Sequence, residues 1–337
     1  MPIDCNGKHL LISRTDSIGD VMLTLPLVAW LKETYPGCRI TFLCRNYTEK
    51  IVSCYEDVDN ILTLDALQEL SPSEQIQRIR SLKIDIAVHV FPRKELARLF
   101  KKAGIDVRIG TSHRLFHLLT CNVRPDFTRK RSPLHEAQLN FELARPLGVT
   151  QTPDFVQLNH WTSGFKAPVT FFPSVIEVLL TAGKPLAMLH PKSQGSAREW
   201  PMEHYLELAE KLAERNYHVV FTGTEKEGAL FRDLLPQHPY ITDSTGLLSI
   251  EQLIALIERS QVLVACSTGP LHISGFLAKR AIGIFSPRVP IHPGRWKPLG
   301  ENAVTVVHDE NCVTCRKGED CSCITQIPAN RILELIP

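Results

Sequence analysis

The feature that most limits what this chain can fold into is an alternation of short apolar runs with amphipathic segments, and the alternation occurs twice. The first half reads "HLLIS", a helix from about Val21 to Tyr35, "RITFLC", "NILTL", a polar helix around Ser73 to Leu82, and "IDIAVHV". "RKELARLFKKAG" follows, a helix closed by Gly104, and then "VRIGT". Residues 111–133 are basic with weak periodicity and read as loop or short helices, and "LHEAQLNFELARPLGV" predicts a helix ending at Gly148. After the less regular "TQTPDFVQLNHWTSGFK", strand and helix patterns resume with "PSVIEVLLTAG", "PLAMLHP", "MEHYLELAEKLAERN", "HVVFTG", "KEGALFRDLLP", "YITD", "SIEQLIALIERS", "QVLVACS", "GPLHISGFLAK" and "RAIGIFS". Apolar runs with no polar alternation, separated by helices, suit parallel strands covered on both faces. The expected fold is therefore α/β, with two Rossmann-like parallel-sheet domains at 1–165 and 166–337. Their ligands belong at the carboxyl ends of the strands.

Composition narrows the function classes. A length of 337 residues fits two domains, and a formal net charge of +2 is too small for a general nucleic-acid binder. The start "MPIDCNGKHLLIS" lacks a basic region followed by an apolar leader core, and no run reaches the ~18 apolar residues of a membrane span. A cytoplasmic location is expected. No G-x-G-x-x-G follows the first strand or "PLAMLHP", and no P-loop is present, which argues against a dinucleotide enzyme.

Four stretches at strand ends carry chemistry. "DSIGDVMLTLP" at 16–26 puts Asp16 and Asp20 where backbone amides favour anions. Asp20 is either a helix cap or a reactive carboxylate. "CSTGPLH" places Ser267, Thr268 and Gly269 at a helix start, with Pro270 in its first turn and His272 close by. That is an anion site by construction, or else a plain cap with a packed histidine. "HPKSQGSAREWP" offers Lys192, Ser193 and Arg198 to a phosphate, though such a loop can also be a solvated connection. "FTGTEKEG" offers Glu225, with Glu227 as competitor, to ribose hydroxyls.

In this order, "SRTDSIGDVMLTLPLVAWLKETYPGCRITFL", "HPKSQGSAREWP", "VVFTGTEKEG" and "CSTGPLHISGFLAKRAIGIFSP" resemble the glycosyltransferase family 9 heptosyltransferases. The resemblance spans most of the chain. It implies the GT-B type: an N-terminal acceptor-binding domain and a C-terminal nucleotide-sugar-binding domain facing across a cleft. It also implies inverting transfer of heptose from ADP-L-glycero-D-manno-heptose to a lipopolysaccharide inner-core acceptor. Asp20 matches the aspartate of the family's "GD" pattern, the general base, while Asp16 belongs to the turn. Arg198 stands where the family has a Lys that contacts donor phosphate; Thr268, Gly269 and His272 match "[ST]-G-x-x-H". Ser267 replaces the family's usual Asp, which leaves open the donor-sugar contacts and even activity. A family 9 transferase acting on a protein or another surface glycan, and a silent sugar-nucleotide-binding protein, stay as alternatives.

No cofactor is required for this chemistry, because "DVD" at 57–59 reads as a turn and not as the Asp-x-Asp of metal-dependent transferases. Leaving-group charge falls to the helix start, hydroxyls, Arg198 and Lys192. Cations crowd the first domain: Arg93, Lys94, Arg98, Lys101, Lys102, Arg108, His113, Arg114, Arg124, Arg129, Lys130 and Arg131. Such runs are often solvated faces. Here Arg93, Lys94, Arg98 and Arg124 are the expected acceptor contacts, and the excess suits an anionic glycolipid and peripheral contact with the inner membrane. Six cysteines are scattered and read as reduced packing residues. Cys312, Cys315, Cys321 and Cys323 in "CVTCRKGEDCSC" are compact enough for a structural zinc or iron, or else stay as thiols.

Overall fold

The structure is a computed structural model that describes residues 2–130 and 132–337. It divides into two compact units, Met1–Lys166 and Ala167–Pro337. Each is a parallel sheet wrapped by helices.

The first unit holds β1 (His9–Ser13), β2 (Arg39–Cys44), β3 (Asn60–Thr63), β4 (Ile86–His89) and β5 (Val107–Ile109), in the order β3-β2-β1-β4-β5. The second holds β6 (Leu186–His190), β7 (His218–Phe221), β8 (Ile241–Asp243), β9 (Val262–Ala265), β10 (Arg280–Ile284) and β11 (Val304–Val306), in the order β11-β10-β9-β6-β7-β8. These strands pair in parallel throughout. The central strands β1, β4, β6, β7 and β9 are buried along their whole length, which is why their sequences run apolar without alternation. The connections leaving β1 and β4, and those leaving β6 and β9, part at neighbouring strand ends. That is the topological switch where a doubly wound sheet opens a crevice.

Several elements differ from the sequence expectation, each for a local reason. The helix expected over 21–35 is two helices, Ile18–Met22 and Leu25–Thr34. Pro26 has no N–H to give Met22, and its ring crowds the preceding turn. The helix before Gly148 stops at Leu143 and continues as a 3₁₀ turn at Arg145–Leu147, with Pro146 inside and Gly148 at φ +100° closing it. "KEGALFRDLLP" is a single turn, Glu225–Gly228, followed by a 3₁₀ turn. Phe231 turns into the core there, and Arg232 reaches Asp243. The irregular stretch after 150 contains a helix, Phe155–His160, with Asp154 and Gln157 forming a capping box. The edge strand β11 was not expected.

"DVD" does form a turn; Asp59 accepts from Ile40 N at 2.6 Å and pairs with Lys32. Cys5, Cys38, Cys44, Cys54, Cys121 and Cys266 are all buried and unbridged. Burial pushes the thiols of Cys5, Cys44 and Cys266 up to about 12, so they pack as apolar groups. The C-terminal segment clamps the second unit: Trp200 Nε1 donates to Ile327 O at 2.8 Å, and Ile332 and Leu333 join the core of Leu208 and Leu212.

The helix Gly269–Phe276 approaches the 298–300 turn closely. A Cβ on Gly275 would lie 2.1 Å from Leu299 O. Gly275→Ala is therefore expected to destabilise the chain by about 1–3 kcal/mol, read as a lower midpoint in thermal or urea unfolding.

Candidate active site

In the first unit, β1 ends at Ser13 and the turn Arg14–Ser17 leads into the helix Ile18–Met22. The N-cap is Ser17, not Asp20, and its hydroxyl makes no capping bond. Ser17 Oγ donates to the Asp20 carboxylate instead, and Asp20 also pairs with Arg14. The cap reading of Asp20 is thereby set aside. The carboxylate sits inside the first turn, held from two sides and about 15% exposed.

Arg14 is the residue that sequence reading missed. Its side chain is 3% exposed and meets three carboxylates: Asp16 at 2.7 Å, Asp20, and Glu136 at 3.1 Å. Glu136 also receives Arg129 at 2.9 Å, and Arg129 reaches Asn140 Oδ1 at 2.8 Å. Asn140 in turn donates to Leu23 O at 2.9 Å, tying the turn to the helix Glu136–Leu143. Burial works against the Arg14 charge, and the three carboxylates more than restore it. Three carboxylates around two guanidinium groups leave one negative charge in excess. Burial pushes the Asp16 carboxyl up to about 7, with Asp20 adding to the rise and Arg14 opposing it.

Of the four expected acceptor contacts, Arg93 lies against this turn. Its Nε donates to Thr15 Oγ1 at 2.7 Å and its Nη2 to Thr15 O at 3.2 Å. Lys94 and Arg98 are exposed on the helix that Arg93 precedes, Lys94–Ala103. Arg124 is exposed too, but lies beside β5, donating to Cys121 O at 2.6 Å. Other members of the basic stretch have structural duties. Arg108 holds Thr120 O at 2.7 Å, Arg129 serves Glu136, and His113 meets Asp126 at 2.8 Å. Arg131 lies outside the described residues.

In the second unit the helix Gly269–Phe276 begins just past β9. Thr268 is its N-cap, with no capping bond from its side chain, and its buried Oγ1 has no partner. Pro270 lies in the first turn and His272 is buried just behind it. Ser267 is half-buried at the same strand end. The N–H groups of Gly269 and Leu271 are therefore uncapped by Thr268, as an anion site requires.

The loop after β6 is organised by Glu199. Its carboxylate takes Lys192 Nζ at 2.9 Å, Ser193 N at 2.9 Å and Ser193 Oγ at 3.1 Å. Burial opposes its charge, yet Lys192 and Ser193 hold it below the usual range. Arg198 points to the C-terminal tail, with Nη1 donating to Cys321 O at 2.5 Å and Nη2 pairing with Asp320. Glu225 is exposed and gripped by Arg232 at 2.8 and 2.9 Å. Glu227 is buried and spent on capping: its carboxylate accepts from Thr224 N at 2.6 Å.

The four C-terminal cysteines converge. Their sulfurs all lie within 4.8 Å of one another, with Cys312 to Cys321 at 3.4 Å and Cys321 to Cys323 at 3.2 Å. Sulfurs about 2.3 Å from a tetrahedral ion sit roughly 3.8 Å apart, so these residues could hold one. Hydrogen bonds from Cys323 and its neighbours bring the Cys321 thiol down to about 7, and burial raises Cys315 to about 11.

Two doubly wound domains, one with an oriented carboxylate and one with an uncapped helix start at a strand end, define the α/β class of this chain. The sequence model of the glycosyltransferase family 9 (heptosyltransferase) matches residues 76–323, and the chain belongs to that family and is a glycosyltransferase. A lipooligosaccharide heptosyltransferase 2 of Haemophilus ducreyi is 23% identical over 328 residues, 92% of each chain. The family 9 glycosyltransferase from Veillonella parvula superimposes with a TM-score of 0.79 at 18% identity, covering 99% of this chain and 97% of that one. The E. coli ADP-heptose lipopolysaccharide heptosyltransferase II gives 0.74 at 19% identity, covering 97% of both. These likenesses carry the two-domain parallel-sheet α/β architecture.

The raised Asp16 pKa fixes a sign. Its ionisation in the folded state opposes folding, an effect absent below the unfolded value near 4 and growing as pH rises toward 7. Asp16→Asn is expected to be more stable than the wild type at pH 8, on the order of 2 kcal/mol, with the gain gone at pH 4. Urea unfolding at the two pH values measures it.

Proposed function

We propose that this chain is an inverting transferase that moves heptose from ADP-L-glycero-D-manno-heptose to a lipopolysaccharide inner-core acceptor. The observation that carries this reading is Asp20: a carboxylate at a strand end, released from capping and oriented by Arg14 and Ser17. The names of the Haemophilus and E. coli relatives support the donor and acceptor class.

In this reading the N-terminal domain supplies the base and the C-terminal domain holds the donor. An acceptor hydroxyl gives its proton to Asp20 as its oxygen bonds to the anomeric carbon. The bond from that carbon to the diphosphate oxygen breaks on the opposite face, and ADP leaves with the electron pair. Arg14 and Ser17 hold the Asp20 carboxylate in one orientation toward the acceptor hydroxyl. The departing diphosphate meets the N–H groups at Gly269, Thr268 Oγ1, Ser193 and the cations Lys192 and Arg198. Glu225 serves the ribose. Arg93 and Lys94, beside the Asp16–Asp20 turn, receive acceptor anions, with Arg98 further along the helix. Cys312, Cys315, Cys321 and Cys323 would hold a zinc or iron ion, whose chemistry there is structural crosslinking.

Among the described residues no helix is long and apolar enough to cross a membrane. Peripheral contact is favoured by the helix Leu115–Thr120, which exposes Leu115 at 85%, Leu118 at 51% and Leu119 at 75%. Lys101 Nζ donates to Leu119 O at 2.7 Å, so cations adjoin the apolar ridge. Arg98, Lys102 and Arg114 are exposed nearby in the chain. Leucines ringed by cations suit the anionic cytoplasmic leaflet of the inner membrane.

Two outcomes test the proposal. Asp20→Ala should lower transfer from ADP-heptose to inner-core acceptor by about 10²–10⁴-fold while calorimetry shows ADP binding unchanged. Equal transfer by wild type and variant removes Asp20 from the reaction. Leu115→Glu/Leu119→Glu should lose sedimentation with anionic vesicles while transfer to a soluble, delipidated acceptor is retained.

A further inference from the structure

The tail that carries the cysteines meets the second unit at two of its strand-end loops. Arg198, in the loop after β6, gives Nη1 to Cys321 O and Nη2 to Asp320. Arg288, in the loop after β10, lies 3.7 Å from the same Asp320 carboxylate. Both partners of Arg198 therefore come from one short segment, 316–321, which follows Cys315 and ends at Cys321.

The first residues of that segment are tied back to the preceding turn, with Arg316 N donating to Cys312 O at 3.1 Å, Lys317 N to Val313 O at 3.0 Å, Gly318 N to Cys315 O at 2.9 Å and Glu319 N to Thr314 O at 3.1 Å. The Asp320 end is held toward the loops by its arginine contacts. Arg316, Lys317, Glu319 and Asp320 are exposed, and Gly318 turns the chain at φ +80°. The Asp320 side chain is 98% exposed, and a solvent-facing ion pair of this kind fixes geometry weakly on its own. The sulfur cluster closes the segment at its base, with Cys312 and Cys323 completing the set. An ion bound by four thiolates would lock Cys315 and Cys321 together and so fix the carbonyl and carboxylate that take Arg198. Arg198 would in turn reach the donor with an orientation already set, and the ordering cost would fall on folding and not on binding.

We propose that the four-cysteine metal centre is a positioning device for the donor site: it holds segment 316–321 and, through Cys321 O and Asp320, fixes the Arg198 guanidinium so that its remaining N–H groups serve the donor diphosphate. This rests on the readings of Arg198 as a donor contact and of the cluster as a metal centre. Donor and metal are then thermodynamically linked, each tightening the other's binding by the same factor.

The test uses the full-length chain loaded with zinc, with zinc affinity measured by competition against 4-(2-pyridylazo)resorcinol. Saturating ADP should raise zinc affinity by about fivefold or more in the wild type. Arg198→Ala should lower zinc affinity without ADP and abolish the ADP effect. Asp320→Asn, which touches no thiol, should weaken the coupling in the same direction. Zinc affinity identical in wild type, Arg198→Ala and Asp320→Asn overturns the proposal. A wild type that binds no ADP by calorimetry defeats the donor reading, while the Arg198→Ala and Asp320→Asn zinc affinities still decide the link to the tail. Anaerobically purified protein that contains no metal and takes up no zinc overturns both the metal centre and this role for it.

Discussion

The first domain's site depends on one buried guanidinium. Arg14 lies at the carboxyl end of β1 and binds Asp16, Asp20 and Glu136 at once. Without it three carboxylates would face one another in a desolvated turn, a situation in which removing one partner of a buried charge cluster costs about 3–5 kcal/mol. With it the turn acquires a defined geometry, and the helix Glu136–Leu143 is brought to the strand end through Glu136 and Asn140. The same contact sets the chemistry. Asp20 is held in place by Arg14 and Ser17, and burial beside Asp20 pushes the Asp16 carboxyl up to about 7.

This division also explains the odd composition of "DSIGDVMLTLP". A strand-to-helix turn that binds phosphate through backbone amides needs small residues and no carboxylates. Here the helix start is given to side-chain charge, and the uncapped helix start lies in the other domain, at Thr268 and Gly269. The two switch points thus differ in their helix starts, one carrying the carboxylates Asp16 and Asp20 against Arg14, the other a partnerless Thr268 hydroxyl and uncapped amides beside β9.

Much of the fold was legible because its determinants are local. Continuous apolar runs marked ten of the eleven strands, and Gly104 marked a helix end at φ +82°. The β11 edge was lost because Val304–Val306 is short and only partly buried. The split at Pro26 was readable in principle from the missing N–H. Site residues followed the same rule. Asp20, Thr268 and His272 sit in contiguous motifs, whereas Arg14 acquires its meaning from Glu136, 122 positions away. Glu199, which orders Lys192 and Ser193, was passed over because a carboxylate in a phosphate loop argues against itself until its partners are seen. Arg198 stands out in its motif, but its engagement with Cys321 and Asp320 joins segments more than 120 residues apart, which no spacing announces.

In the reaction we propose, one oriented carboxylate drives a single displacement at the anomeric carbon. The most direct measurement is the anomeric configuration of the transferred heptose, read by NMR on the isolated product of a reaction started with ADP-heptose of defined configuration. The product is expected to carry the configuration opposite to that of the donor. Retention of the donor's configuration would contradict it, because retention requires a second displacement or front-face attack for which an Asp20 base has no place.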